Sequence, residues 1–261
     1  MQMKKLFSKW WCSLAIFAAS IAALALVAVC TDSAQCIQFF DQNGYSPFEL
    51  ATLPVFFAII PAVWIAKPFD GSPLRQNVLS SMVTIVVIMA IVKETDLHNA
   101  ALHCLFPGFV GENGSLLPGL VKPNGAPLTG TPFKMRVLTN SGVPFAMKAV
   151  IVAYFISFFG MFAAGLAYLA KSLFTGMLKL KASAWSVACL GASGIMVQIT
   201  DRLPSWLNHG YGLNKNVAGE NAVSIFSAIA TAFEEGGEMM LALFAILAII
   251  QAKIEKNGRR E

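Results

Sequence analysis

Six times along this chain an apolar run long enough to cross a bilayer is followed by a polar break. No other feature limits its fold so strongly. The runs cover residues 12–29, 50–66, 78–97, 144–170, 182–200 and 221–253. A hydrocarbon core about 30 Å thick needs about 20 apolar residues as a helix. Inside it every backbone N–H and C=O must be satisfied internally, which leaves helices and closed barrels. Runs of this length predict helices. Only 13% of the residues are charged and 56% are hydrophobic, against about 25% charged in a soluble domain. The expected fold class is therefore all-α: a polytopic integral membrane protein, one domain over residues 1–261, with six transmembrane helices.

The ends and breaks refine this picture. The start, MQMKKLFSKWW, is basic and aromatic, and residues 12–29 carry no charge. A cleaved leader has an apolar region of about 7–15 residues. The longer run here reads as a retained first span. Pro54 and Pro61 predict a kinked second span. Residues 201–220 read as a polar loop. Residues 99–143 are rich in Gly and Pro, so regular structure should be scarce there. The apolar residues Phe106, Phe109, Leu116, Leu117 and Leu120 favour a packed cap over a floppy connector.

Basic residues set the expected orientation. Lys4, Lys5, Lys9, Lys67, Arg75, Lys171, Lys179, Lys181, Lys253, Lys256, Arg259 and Arg260 fall on one side, opposed there only by Asp70, Glu255 and Glu261. Both termini are then cytoplasmic and the 99–143 cap is extracytoplasmic, although its Lys122, Lys134 and Arg136 weaken the contrast. The implied location is the plasma membrane, which in a prokaryote is the inner membrane. Cys30, Cys36 and Cys104 lie outside in this topology. An oxidising compartment permits a Cys30–Cys36 disulfide; the alternative is a buried Cys30. Cys12 and Cys189 read as small core hydrophobes. The tryptophans near span ends read as interface anchors.

The sharpest chemical signal is in the sixth run. Glu234, Glu235 and Glu238 sit near its middle. Each carboxylate there costs about 2.5–3.5 kcal/mol on insertion scales. Such groups need a proton, a cation, a partner or a water-filled cavity. Glu234 and Glu238 share a helix face, with Glu235 beside them, and the adjacent Gly236 and Gly237 permit a kink or close approach of a neighbour. On the third span Glu94 and His98 are four apart and share a face, while Asp96 points elsewhere. On the fifth, Gln198 and Asp201 are three apart. Lys148 and Arg202 are available as counter-charges. His103 and His209 read as loop or interface histidines.

These groups would fall at one depth in the outer half of the bundle, which leaves three classes of function. Clustered carboxylates make a cation or proton relay of the kind transporters use. Glu94, His98, Glu234 and Glu238 could instead ligate a divalent metal ion, with a carboxylate as general base for a metal-assisted hydrolase on a lipid-like substrate. The third class is a non-catalytic membrane subunit or assembly factor whose polar cluster is structural. The lipid bilayer is a partner in every case, and a homo-oligomer or membrane partner subunit suits a chain this small. No Walker, Rossmann or nucleophile-elbow motif occurs, and no basic stripe with stacking aromatics suggests nucleic acid.

Overall fold

The computed structural model describes residues 6–40, 46–112, 114–121, 127–128, 132–133, 135–210 and 215–258, with the backbone alone at 135–136, 204–210 and 215–224. Several of the basic residues weighed for topology (Lys4, Lys5, Lys122, Lys134, Arg259 and Arg260) lie outside them, as do the side chains of Arg136 and His209. The helices are α1 (Trp10–Cys30), α2 (Ser33–Phe40), α3 (Pro47–Ala66), α4 (Pro73–Glu94), α5 (Leu97–Leu105), α6 (Met135–Leu138), α7 (Phe145–Phe155), α8 (Met161–Leu178), α9 (Ala182–Gly210) and α10 (Lys215–Asn257). Among the described residues six segments are long and apolar enough to cross a membrane: α1, α3, α4, α7 through α8, α9 to Leu203, and α10 from Ile225.

The helix ends follow local chemistry. Ser46 and Glu49 form a capping box at α3: the Glu49 N–H donates to Ser46 Oγ at 3.0 Å, and the Ser46 N–H donates to Glu49 Oε2 at 2.7 Å. Pro47 follows the cap, where its missing N–H costs nothing. Helix α3 continues through Pro54 and Pro61. The rod from Phe145 to Leu178 is interrupted by a π-helical turn, Ile156–Gly160, which the apolar pattern gives no sign of. At the end of α8, Leu180 takes a left-handed φ of 53°. Its N–H reaches Met177 O while the Lys181 N–H reaches Gly176 O, so the last carbonyls are satisfied before α9 starts.

The expected 201–220 loop is mostly helix: α9 continues to Gly210, and α10 begins at Lys215. Its polar composition marks a departure from the apolar run, but polar composition alone does not exclude a helix, whose backbone hydrogen bonds are internal.

The chain divides into two compact units. The first comprises Met1–Ser80 with Leu169–Glu261. Its register is fixed by contacts to α10. Ser13, Phe17 and Leu24 of α1 meet Gln251, Phe244 and Gly236, so α1 and α10 are antiparallel. Ser183, Ser186, Gly194 and Val197 of α9 meet Glu255, Gln251, Leu241 and Gly237, again antiparallel. It follows that α1 and α9 run parallel, and Trp10 and Trp185 pack at 5.5 Å between ring centroids. The core joins Leu24, Ala28, Cys36, Phe40, Cys189, Ala228, Ala232, Met240 and Phe244.

The second unit, Ser81–Tyr168, has its own core of Leu102, Val110, Leu116, Leu128, Val137, Val143, Met147 and Ile151. Two short helices, α5 and α6, fall largely within the Gly/Pro-rich stretch expected to hold little regular structure. Val110 bridges Leu116, and the Leu117 N–H donates to Phe109 O at 2.9 Å. Asn140 ties the segment together. Its Nδ2 donates to Val121 O at 2.7 Å and its Oδ1 accepts the Gly142 N–H at 2.9 Å.

Candidate functional site

The first unit builds its most distinctive chemistry on α10. Ala228, Ala232 and Gly236 recur every four residues, a stripe of small side chains facing the core. An added Cβ on Gly236 would lie 2.6 Å from Leu24 Cδ1 of α1, and one on Gly237 would lie 2.5 Å from Val197 Cγ2 of α9. The two glycines therefore admit a neighbouring helix on each side. Helix α10 is continuous through both of them.

These close approaches bury the carboxylates beside them. Glu238 is 7% exposed, and Glu234 and Glu235 are half-buried. Carboxylate oxygens of Glu235 and Glu238 lie within 4.8 Å of one another. The expected ligand set paired Glu234 with Glu238; the pair one helical turn apart by i, i+3 spacing, Glu235 and Glu238, is the one brought together.

About 20 Å further along α10 lies a second polar feature, by the 1.5 Å rise per residue. Ser13, Ser186 and Gln251 are fully buried and form a closed ring. Ser186 Oγ donates to Gln251 Oε1 at 2.6 Å, Gln251 Nε2 donates to Ser13 Oγ at 3.3 Å, and the two hydroxyls lie 2.8 Å apart. Each group satisfies another without a charge, so the ring clamps α1, α9 and α10. One turn beyond, Glu255 accepts from both the N–H and the hydroxyl of Ser183, at 3.0 and 2.8 Å, placing a carboxylate at the α9 N-terminus. Sequence reading missed the ring because each member is a single polar residue in an apolar span. Aligning the spans antiparallel would have put all three at one level.

Several expected members are elsewhere. Gln198, Asp201 and Arg202 are exposed on α9, whose buried face instead carries Ser186, Cys189, Ser193 and Val197. Gln198 lies on the outward side of the helix; Asp201, four residues after Val197, continues the Val197 face yet is exposed. The disulfide between Cys30 and Cys36 is not formed. Both are free thiols; Cys30 is exposed, and Cys36 is buried with Sγ 3.8 Å from Ala228 O.

In the second unit the Glu94–His98 relation is overturned. Helix α4 ends at Glu94, Asp96 is left-handed with φ 51°, and α5 starts at Leu97. The two residues do not share one helix face. Asp96 serves the turn: its Oδ1 accepts Asn99 Nδ2 at 3.0 Å. Lys93 Nζ contacts Glu94 Oε1 at 3.1 Å. His98 folds back, with Nδ1 3.1 Å from Val92 O, which makes Nδ1 the protonated nitrogen because a carbonyl can only accept. Its ring stacks on Tyr154 and meets the edge of Phe133. Burial lowers its pKa below the ordinary 6.5, only partly offset by the Val92 bond and by Asp96, while Lys93 adds to the lowering. His103 Nδ1 is 2.8 Å from Val110 O, an internal staple of the segment. Lys148, the other expected counter-charge, is half-buried on α7 and forms no ion pair among the described residues.

Together the fold and these groups define an all-helical, multi-pass membrane protein with an acidic cluster on its last helix. No protein-family model, curated protein or solved structure matches the chain.

Proposed function

We propose that this protein moves a cation or proton across the membrane in which it resides, with Glu235 and Glu238 of α10 as the ion-binding groups. One observation carries the reading: two carboxylates within 4.8 Å of each other on a segment that can cross a bilayer, one of them buried. Like charges this close, in a region of low dielectric, repel unless a proton or cation accompanies them. A group that gains and loses such a companion is what a relay needs. Glu234, half-buried beside them, is the third member of the site. The excess of basic residues on one side of the spans favours cytoplasmic termini, and this reading takes the membrane to be a plasma membrane.

Reconstituted protein in sealed vesicles provides the test. A pH gradient or a gradient of Na⁺, Mn²⁺ or Zn²⁺ is imposed, and flux is read with an internal dye. Glu238→Gln and Glu235→Gln are expected to reduce flux at least tenfold while the unfolding midpoint stays equal or rises, because the amide keeps the shape and removes the like charge. Wild-type flux in the Glu235→Gln/Glu238→Gln double variant would refute the assignment. Loss of stability in these variants, with no flux in the wild type, would make the cluster structural.

A further inference from the structure

The outward face of α9 carries groups that a helix facing only lipid has no reason to hold. Gly191, Ile195, Gln198 and Arg202 recur at intervals of four, three and four, so they form one narrow seam. All four are exposed, Ile195 at 64%, and a Cβ added to Gly191 would meet nothing within 4 Å. Gln198 lies inside the segment Ala182–Leu203 that is apolar enough to cross a membrane. Hydrocarbon offers its amide no partner. Asp201 and Arg202, adjacent and opposite in charge, are both exposed beside it, and neither forms an ion pair among the described residues. The exposed face of α3 is different: Leu50, Phe57 and Ile65 are what lipid requires.

We propose that the α9 seam is the docking face for a second copy of this chain, about a two-fold axis along the membrane normal. At such an axis each residue meets the same level of its counterpart. The Gln198 amide is both donor and acceptor, so it pairs with the Gln198 amide of the second copy. Asp201 meets Arg202 of the second copy, and the reverse pair forms across the axis. Gly191 lets the two backbones approach. The seam is complementary to itself in charge and in hydrogen bonding, which selects a second copy over an unrelated apolar helix. This inference does not depend on the ion-binding reading of α10.

Cross-linking of the full chain in native membranes tests it. Ile195→Cys should give a covalent dimer under mild oxidation well above the wild-type level set by the native cysteines, and Phe57→Cys on α3 should not. Gln198→Leu should raise the dimer dissociation constant about 3- to 20-fold, the range expected for an interhelical hydrogen bond in a membrane, with an unchanged unfolding midpoint of the monomer. Asp201→Arg and Arg202→Asp should each weaken the dimer, and the two together should restore it. Ile195→Cys cross-linking at the wild-type level, or to a different protein, would overturn the proposal. So would a Gln198→Leu dimer as tight as the wild type.

Discussion

Gly236→Ala is the most direct test of how α10 is packed. The new methyl would lie 2.6 Å from Leu24 Cδ1 and 3.0 Å from Leu24 Cγ, whereas carbon atoms in contact settle at about 3.5–4.0 Å. The Cδ2 methyl of Leu24 lies closer still, so Leu24 must move by more than 1 Å within a core that also holds Ala28, Ala232 and Phe244. Overpacking of this kind costs about 1–3 kcal/mol. Alanine recovers about 1 kcal/mol of that through helix propensity. The net expectation is a loss of up to about 2 kcal/mol. All three close contacts belong to Leu24, which permits a sharper version. In a Leu24→Ala background the clash disappears, and Gly236→Ala should stabilise by about 1 kcal/mol through propensity alone. The sign of one substitution thus reverses with the identity of residue 24. Unfolding in mixed detergent micelles measures both backgrounds. The same effect of Gly236→Ala in each would refute the claim that this glycine exists to admit α1.

Gln251→Leu removes two of the three bonds of the buried ring and keeps a side chain of similar size; at about 0.6 kcal/mol per interhelical bond, and up to about 1.7, a loss of roughly 1–3 kcal/mol is expected. Ser13→Ala should cost less in that background than in the wild type, and a purely additive pair of unfolding measurements would sink the ring as a cooperative clamp. His98 gives a pH dependence. Its folded pKa lies below its unfolded value near 6.5, so the unfolded chain binds the proton more readily. Stability is then fully present above about pH 6.5 and falls as the pH drops from there towards the folded pKa. Proteolysis of the 99–143 segment followed between pH 7.5 and 5 should accelerate in the wild type, and His98→Asn should flatten the profile; equal slopes would exclude His98 as the cause.

What could be read from the chain alone was whatever depends on composition and local spacing. Six apolar runs predicted six spanning helices, because hydrocarbon leaves a backbone of that length no other way to satisfy its hydrogen bonds. The carboxylates of the sixth run stood out for the same reason. Apolar residues in the Gly/Pro-rich stretch predicted a packed segment, and Val110, Leu116 and Leu128 are buried in a core. Only the tertiary structure decided which way the polar residues point. Gln198 turns outward because Ser193 and Val197 turn inward, and a span that buries Ser186 and Ser193 while exposing Ile195 does not reveal by its hydrophobicity which face its neighbours will cover. Glu94 and His98 part because Asp96 adopts a left-handed backbone that periodicity assumes away. The Ser13–Ser186–Gln251 ring exists only through the antiparallel pairing of helices far apart in sequence. Spacing along one helix is a local property. Partnership between helices depends on the register and rotation set by packing, through contacts between residues far apart in sequence such as Gly236 with Leu24 and Gly237 with Val197.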